Sequence, residues 1–153
     1  MDAIRDFQDL LWEFAERDVR YLIVGGLAFI YHAKPRFTKD LDLWVEPEPE
    51  NLDRANAALS AFGSPYLLSK DESQSILQIG LPPNRIDILQ TIEGVSFREA
   101  WKRREVSPYG EAQANWIDLD SLLAIKERID DPRHQADARD LRRVRDLKRR
   151  NRA

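Results

Sequence analysis

The segment DLDLWV at positions 40–45 places two carboxylates two residues apart in an otherwise apolar, β-prone run. Side chains two residues apart on a β-strand point to the same face, so Asp40 and Asp42 share one face while the leucines and the valine share the other. Two carboxylates this close repel each other unless a cation lies between them. The segment therefore predicts a strand that closes a hydrophobic core on one face and holds a divalent metal on the other.

Composition limits the class of protein. The 153 residues are 42% hydrophobic and 33% charged and include no cysteine, which is the balance of an ordinary globular chain. This length suits one domain over residues 1–153. No apolar run is long enough to cross a bilayer, and the first residues lack the layout of a signal peptide. We therefore expect a cytoplasmic protein with no membrane partner and no disulfide or thiolate metal site.

Charge is distributed unevenly, although the net charge is only −3. From residue 139 onward basic residues far outnumber acidic ones, which predicts a basic C-terminal helix over about residues 135–150. Such a helix either binds a polyanion such as RNA or presents an ordinary solvated face. The sequence leaves these two interpretations open.

Hydrophobic periodicity predicts helices and strands that alternate along most of the chain. In chain order, the expected elements are a helix over 3–17, a strand over 21–24, a helix that begins at 25–26 and ends near 35, a strand over 39–45, a helix closed by Gly63, a hairpin of strands 75–79 and 85–89, a helix over 96–103, a hairpin over 106–116, a helix over 119–130 capped by Asp118, and the last helix. This order predicts an α+β fold, an α/β sandwich in which helices flank a small mixed β-sheet.

A third aspartate, Asp87, lies in the middle of an expected strand, where an unpaired carboxylate would be costly. If it joins Asp40 and Asp42, the three carboxylates form a set of hard oxygen ligands that suits magnesium or manganese. Two such ions can bind the attacking and leaving oxygens of a phosphoryl displacement. The alternative is that the aspartates face solvent or pair with Arg36 and Arg85.

A glycine pair and a lysine add to this corner. Gly25 and Gly26 follow a strand and open a helix, which either lets a triphosphate approach the helix N–H groups or only forms a tight turn. Lys126 lies in the apolar stripe of its helix and therefore needs an anion. That anion is either a substrate phosphate or the carboxylate of Asp137 or Asp140.

The residues just before the acidic strand are polar and basic. Arg36 and Lys39 are candidates to hold a phosphate, and Thr38 lies between them. His32 is either a ligand or base, or a packed histidine that caps its helix.

Three segments carry a resemblance to a known family. The segments YLIVGGLA at 21–28, RFTKDLDL at 36–43 and RIDI at 85–88 resemble the nucleotidyltransferase superfamily of DNA polymerase β. They look most like its small bacterial branch, which includes AbiEii-type toxin nucleotidyltransferases. The resemblance implies a mixed sheet with flanking helices and a magnesium-dependent transfer of a nucleoside monophosphate from a nucleoside triphosphate, with release of pyrophosphate.

The resemblance also implies a role for each motif residue. Asp40 and Asp42 would hold both metal ions, and Asp87 would complete the metal site on the acceptor side and help the acceptor hydroxyl to lose its proton. The implied nucleotide-binding residues are Gly25, Gly26, Arg36, Thr38, Lys39 and Lys126. The chain lacks the large C-terminal domain that binds the acceptor in this branch, so we expect an acceptor that is small, lies on the basic helix, or comes with a partner chain.

Three functions compete at this point. The first is an active nucleotidyltransferase that modifies transfer RNA or a protein, as part of a toxin–antitoxin pair with a cognate partner protein. The second is a catalytically weak or inactive antitoxin or an RNA- or protein-binding partner with the same fold. The third, which the sequence favours least, is modification of a small molecule, as in antibiotic adenylylation.

Overall fold

The structure is a computed structural model that describes residues 3–38, 40–81 and 84–152. The protein consists of a mixed β-sheet with helices on both faces. The helices of the described chain are α1 (Arg5–Glu16), α2 (Gly25–His32), α3 (Pro49–Phe62), α4 (Phe97–Lys102), α5 (Leu119–Arg128) and α6 (Pro132–Arg152), with a 3-10 turn at Lys70–Glu72. Its strands are β1 (Tyr21–Val24), β2 (Asp40–Val45), β3 (Leu77–Ile79), β4 (Arg85–Leu89), β5 (Glu105–Tyr109) and β6 (Ala112–Trp116). The predicted α/β sandwich with a mixed sheet is confirmed.

The strand order β3-β4-β2-β1-β6-β5 places the acidic strands next to each other. Strand β2 pairs with β1 in antiparallel orientation and with β4 in parallel orientation. In this register Asp42 lies opposite Asp87 on β4, and Val24, the residue before the glycine pair, lies opposite Asp42 on β1. The end of β1 and neighbouring positions on β2 and β4 therefore meet at one point of the sheet.

Each face of the sheet has its own hydrophobic core. Helices α1 and α3 cover the face that carries Leu41, Leu43 and Val45, all of which are fully buried. The opposite face packs Trp44 and Leu22 against side chains of α4, α5 and α6. The alternation predicted for β2 is therefore correct, and its two aspartates point to the side of α5 and α6.

The last helix is longer than expected. It runs over Pro132–Arg152 instead of about 135–150, because Pro132 begins a helix as readily as it ends one. Gly63 closes α3 in the left-handed conformation, as its position predicted. The Pro82-Pro83 part of the expected hairpin turn lies outside the described residues, and β3 is shorter than the predicted strand. No helix in the described ranges combines the length and apolarity that a membrane span requires.

Candidate active site

Strands β2 and β4 bring the three predicted aspartates to one place on the sheet. Asp40 and Asp42 point to the same face of β2, and the parallel register sets Asp87 beside Asp42. Asp87 is buried, while Asp40 and Asp42 are half-buried. The sequence could place Asp40 with Asp42, but the position of Asp87 depends on the pairing of two strands that are far apart along the chain.

Arg85 occupies the space between two of these carboxylates. Its Nε donates a hydrogen bond of 2.9 Å to Asp87 Oδ1, and its Nη2 lies 3.2 Å from Asp40 Oδ2 and 3.1 Å from Asp87 Oδ2. The pairing with Arg85 that the sequence left open is therefore present for Asp40 and Asp87. Arg85 lies two residues before Asp87 on β4, so strand alternation already placed both side chains on one face.

Asp42 is the carboxylate that this arginine does not reach. It forms no hydrogen bond or ion pair with any residue in the described ranges. Burial and the charges of Asp87 and Asp40 together raise the pKa of Asp42 to about 6, although the positive charges of Arg85 and Lys126 lower it. The ionised form of Asp42 is therefore destabilised in this site, and a bound cation would stabilise it.

The two glycines allow the chain to pass close to β2. Gly25 has a φ of +68°, and a Cβ added to it would overlap a carboxylate oxygen of Asp42. A Cβ on Gly26 would lie 2.6 Å from Thr38 Oγ1. A side chain at either position would therefore displace a predicted site residue. Helix α2 also begins here without a side-chain cap, so its first N–H groups are available beside Asp42.

Lys126 has a protein carboxylate as its anion. Its Nζ lies 3.0 Å from Asp137 Oδ2 and 3.1 Å from His134 Nδ1, and only 5% of the residue is exposed. Asp140, the other candidate, pairs with Lys34 instead, at 3.1 Å. The sequence left open whether the anion is a substrate phosphate or a carboxylate of the last helix. In the structure, it is the carboxylate of Asp137.

Asp137 also binds Arg36, at 2.7 Å, and the Arg36 guanidinium lies over the ring of Phe29 at 4.2 Å from its centroid. Burial alone would raise the pKa of Asp137, but hydrogen bonds from Arg36 and Lys126 hold it below its usual range. Arg36 is thus tied to α6 and not to the aspartates of the sheet.

The two histidines near the site differ in how far the sequence predicted them. His32 is buried, and its Nε2 lies 2.6 Å from the carbonyl oxygen of Ile117, so the packed interpretation applies. Lys39 lies outside the described residues. His134 was missed, since nothing in the sequence indicated that the first turn of α6 would contact Lys126.

An open cleft of about 510 Å³ borders the acidic corner. Its polar and charged lining includes Asp42, Asp87, Lys126 and His134, and Gly25 also borders it. The rest of the lining is mostly aliphatic and comes from the end of β1, from β4 and the segment after it, from α5 and its end, and from the residue before β3. A ligand in this cleft would therefore contact two of the predicted catalytic aspartates.

The chemistry of the aspartate side chains fits a divalent metal, because hard carboxylate oxygens are what magnesium and manganese prefer. As they stand, however, no three acidic or histidine side chains in the described ranges are arranged to hold a metal ion. Arg85 already pairs with both Asp40 and Asp87, and Asp42 has no cation in contact with it in the described residues. A metal ion at this corner would bind Asp42 and replace Arg85 at the other carboxylates.

Known proteins resemble this chain in structure and not in sequence. No protein-family model matches it, and no curated protein matches it. Among solved structures, the lincosamide antibiotic adenylyltransferase LnuA with lincomycin bound is similar at a TM-score of 0.61 and 13% identity, over 94% of this chain and 99% of that one. ANT(2")-Ia in complex with adenylyl-2"-tobramycin is similar at a TM-score of 0.54 and 14% identity, over 96% and 97%.

A third solved structure is an antigenic nucleotidyltransferase-like protein from Paracoccidioides brasiliensis, at a TM-score of 0.55 and 13% identity, over 92% of this chain and 74% of that one. These likenesses show that the chain has the nucleotidyltransferase fold. They do not single out the AbiEii-type branch that the sequence motifs resemble.

Proposed function

We propose that this protein is a magnesium-dependent nucleotidyltransferase, which moves a nucleoside monophosphate from a nucleoside triphosphate to an acceptor hydroxyl. The observation that carries the proposal is the meeting of Asp40, Asp42 and Asp87 on one sheet face, directly beside the open start of α2. A fold shared with two adenylyltransferases supports the same reaction class. The reaction forms a bond from the acceptor oxygen to the α-phosphorus and breaks the bond to pyrophosphate.

Each carboxylate has a separate task in this proposal. Asp40 and Asp42 hold the metal, and Asp42 has the stronger need for it because its charge is otherwise uncompensated. Asp87 orients the acceptor hydroxyl and takes its proton. The metal, when bound, supplies positive charge to the phosphate oxygens during the displacement.

The nucleotide-binding residues are assigned from their positions in the fold. Gly25 and Gly26 offer backbone N–H groups to the triphosphate at the start of α2. Lys126 lines the same cleft as Asp42 and Asp87, and Arg36 and Thr38 lie on the adjoining loop. Lys39 is proposed as a nucleotide-binding residue from its position in the sequence alone.

The acceptor is the open part of the proposal. A transfer RNA or protein acceptor would be consistent with a cytoplasmic toxin–antitoxin component that has a cognate partner protein. A small molecule is a third acceptor class, and the two adenylyltransferases in the comparison carry lincomycin and adenylyl-tobramycin. Since this chain aligns with nearly their whole length, a chain of this size is sufficient for small-molecule transfer in those proteins.

The decisive experiment is a labelling assay with each α-labelled nucleoside triphosphate, magnesium and cell lysate. The parent protein should transfer label in a magnesium-dependent way, and Asp42→Asn should transfer none. Asp53→Asn, which removes an exposed carboxylate from α3, is the matched control and should label as the parent does. Equal labelling by Asp42→Asn and the parent would contradict the site assignment.

A second candidate function rests on the contacts of Arg85. Because Arg85 is paired with both Asp40 and Asp87, the same fold would also serve an inactive binding protein, such as an antitoxin. Calorimetry with magnesium and each nucleoside triphosphate separates the two. The enzyme binds at least one of them, and the inactive partner binds none.

A further inference from the structure

The cleft beside Asp87 has an unusually apolar wall for a site that processes phosphates. Ile125 on α5 and Ile129 just after it line the cleft, as do Leu89 on β4 and Ile92 on the segment after that strand. Ile76, on the segment before β3, is 52% exposed, and Ile129 is 37% exposed. Large aliphatic side chains grouped at an open cleft leave apolar surface in contact with water, which is typical of a ligand site.

Only part of this wall belongs to the second core. The helix packs on the sheet through Leu119, Leu122 and Leu123, which are buried in the second core. Ile125 lies at the edge of that core, and Ile129 follows the end of the helix. Leu89, Ile92 and Ile125 pack against that core while part of their surface stays exposed, and Ile76 and Ile129 belong to neither core.

The charges around the cleft argue against an extended polyanion. Lys126 and His134 are the basic groups among its described lining residues. Lys126 is paired with Asp137, and burial and the charge of Lys126 lower the pKa of His134. No unpaired cation of the described lining is thus available to an RNA backbone, which requires several.

We propose that this cleft binds the acceptor, and that the acceptor is a small, uncharged or weakly charged molecule with an apolar body and a hydroxyl directed at Asp87. The inference rests on the nucleotidyltransferase function proposed above and names the substrate class of that site. The volume of about 510 Å³ lies within the usual range for small-molecule sites.

The position of the cleft favours the acceptor over the nucleotide. Asp42 and Asp87 line the cleft together with Gly25 and Lys126, whereas its aliphatic lining includes no residue proposed to bind the nucleotide. The acceptor hydroxyl then meets the triphosphate at the carboxylates, and the aliphatic wall holds the body of the acceptor.

The first test measures the ligand class without any catalysis. The neutral dye N-phenyl-1-naphthylamine is bound to the protein and displaced by methyl, butyl, hexyl and octyl β-glucosides below their micellar concentrations. We expect affinity to rise by up to about fourfold for each methylene that becomes buried. Spermidine and inorganic triphosphate should not displace the dye. Displacement that is independent of alkyl length, or that is strongest for spermidine or triphosphate, overturns the proposal.

Variants locate the dye in the cleft. Ile129→Glu and Ile76→Glu, at two lining positions from different segments of the chain, should each weaken octyl glucoside binding by roughly fivefold or more. Leu147→Glu, at a 50% exposed position on α6 outside the cleft, is the matched control and should bind as the parent does. Both variants are at exposed positions, so folding is expected to survive, and circular dichroism checks it. Parent-like binding by both cleft variants overturns the proposal.

The second test separates acceptor from nucleotide. Calorimetric titration with magnesium and ATP or another nucleoside triphosphate should give the same affinity with and without saturating octyl glucoside. Competition between them would assign the cleft to the nucleotide and overturn the acceptor assignment. If no triphosphate binds, the proposed function fails and the acceptor assignment with it, while the alkyl series still decides the ligand class of the cleft.

Discussion

Arg85 holds the place that a metal ion would need. Its guanidinium contacts Asp40 and Asp87, so metal binding requires that these contacts be exchanged. We expect Arg85→Gln to destabilise the protein in EDTA, because three carboxylates then face each other, and to increase the gain in melting temperature on addition of manganese. Thermal unfolding with and without manganese measures both effects. Arg133→Gln, at an exposed position on α6, is the control, and an equal manganese effect in parent and Arg85→Gln would contradict the exchange.

Asp42 predicts a pH dependence of stability. Its pKa rises from 3.8 to about 6 on folding, so the folded protein binds an additional proton between these pH values. Stability is then lost as the pH rises through this window, which is the direction for an acid whose folded pKa is raised. We expect Asp42→Asn to be more stable than the parent at pH 8 in EDTA by up to about 2–3 kcal/mol, with the difference vanishing near pH 4. Urea unfolding at the two pH values measures this difference, and a difference that persists at pH 4 would contradict it.

Gly25 provides a test of close approach that has a matched control in the same chain. Gly25 and Gly63 both have positive φ, but a Cβ would meet Asp42 at the first position and open space at the second. Gly63→Ala should cost about 1 kcal/mol from the backbone alone and leave transfer activity intact. Gly25→Ala should cost a further 1–3 kcal/mol, roughly, from steric overlap and should abolish activity. Urea unfolding and the labelling assay measure the two effects, and equal costs would contradict the proposed contact.

At the scale of elements, Asp137 links three parts of the protein. Asp137 lies on α6 and forms ion pairs with Lys126 of α5 and with Arg36 of the loop before β2. We expect Asp137→Ala to cost about 3 kcal/mol, because it leaves the buried Lys126 without its carboxylate. Asp140→Ala, which removes a more exposed pair with Lys34, should cost less than about 1 kcal/mol. Urea unfolding gives both values, and similar costs would show that the buried contact has no special weight.

The elements also show what the sequence could and could not reveal. The β1–α2–β2 unit was predictable, because its apolar alternation and glycine pair are local signals. Asp137 was one of the anions expected for Lys126, but the choice between Asp137, Asp140 and a phosphate was not predictable, because the sequence does not state how α5 and α6 pack. His134 contributes from the first turn of a helix that was expected to begin after it. Strand alternation predicts that Arg85 lies on the same face as Asp87. Whether Arg85 contacts solvent or two carboxylates depends on the pairing of β2 with β4.

At the scale of the molecule, both hydrophobic cores share one sheet. Trp116 belongs to one core and Trp44 to the other. If residues 1–153 form a single domain, then in each of two variants that retain one of these tryptophans, with the others replaced by phenylalanine, tryptophan fluorescence and far-ultraviolet circular dichroism should report the same urea midpoint. Two separate transitions would show that the cores are independent units.

The parallel pairing of β2 with β4 has a consequence for the order of folding. The chain must traverse α3 and β3 between these strands before Asp87 can reach Asp42, and such long-range pairings form slowly because the loop must close first. Asp137, which fixes Lys126 beside them, comes from a helix still further along the chain. The carboxylate site is therefore assembled only when distant parts of the chain have folded together, and a chain still emerging from the ribosome carries no complete site.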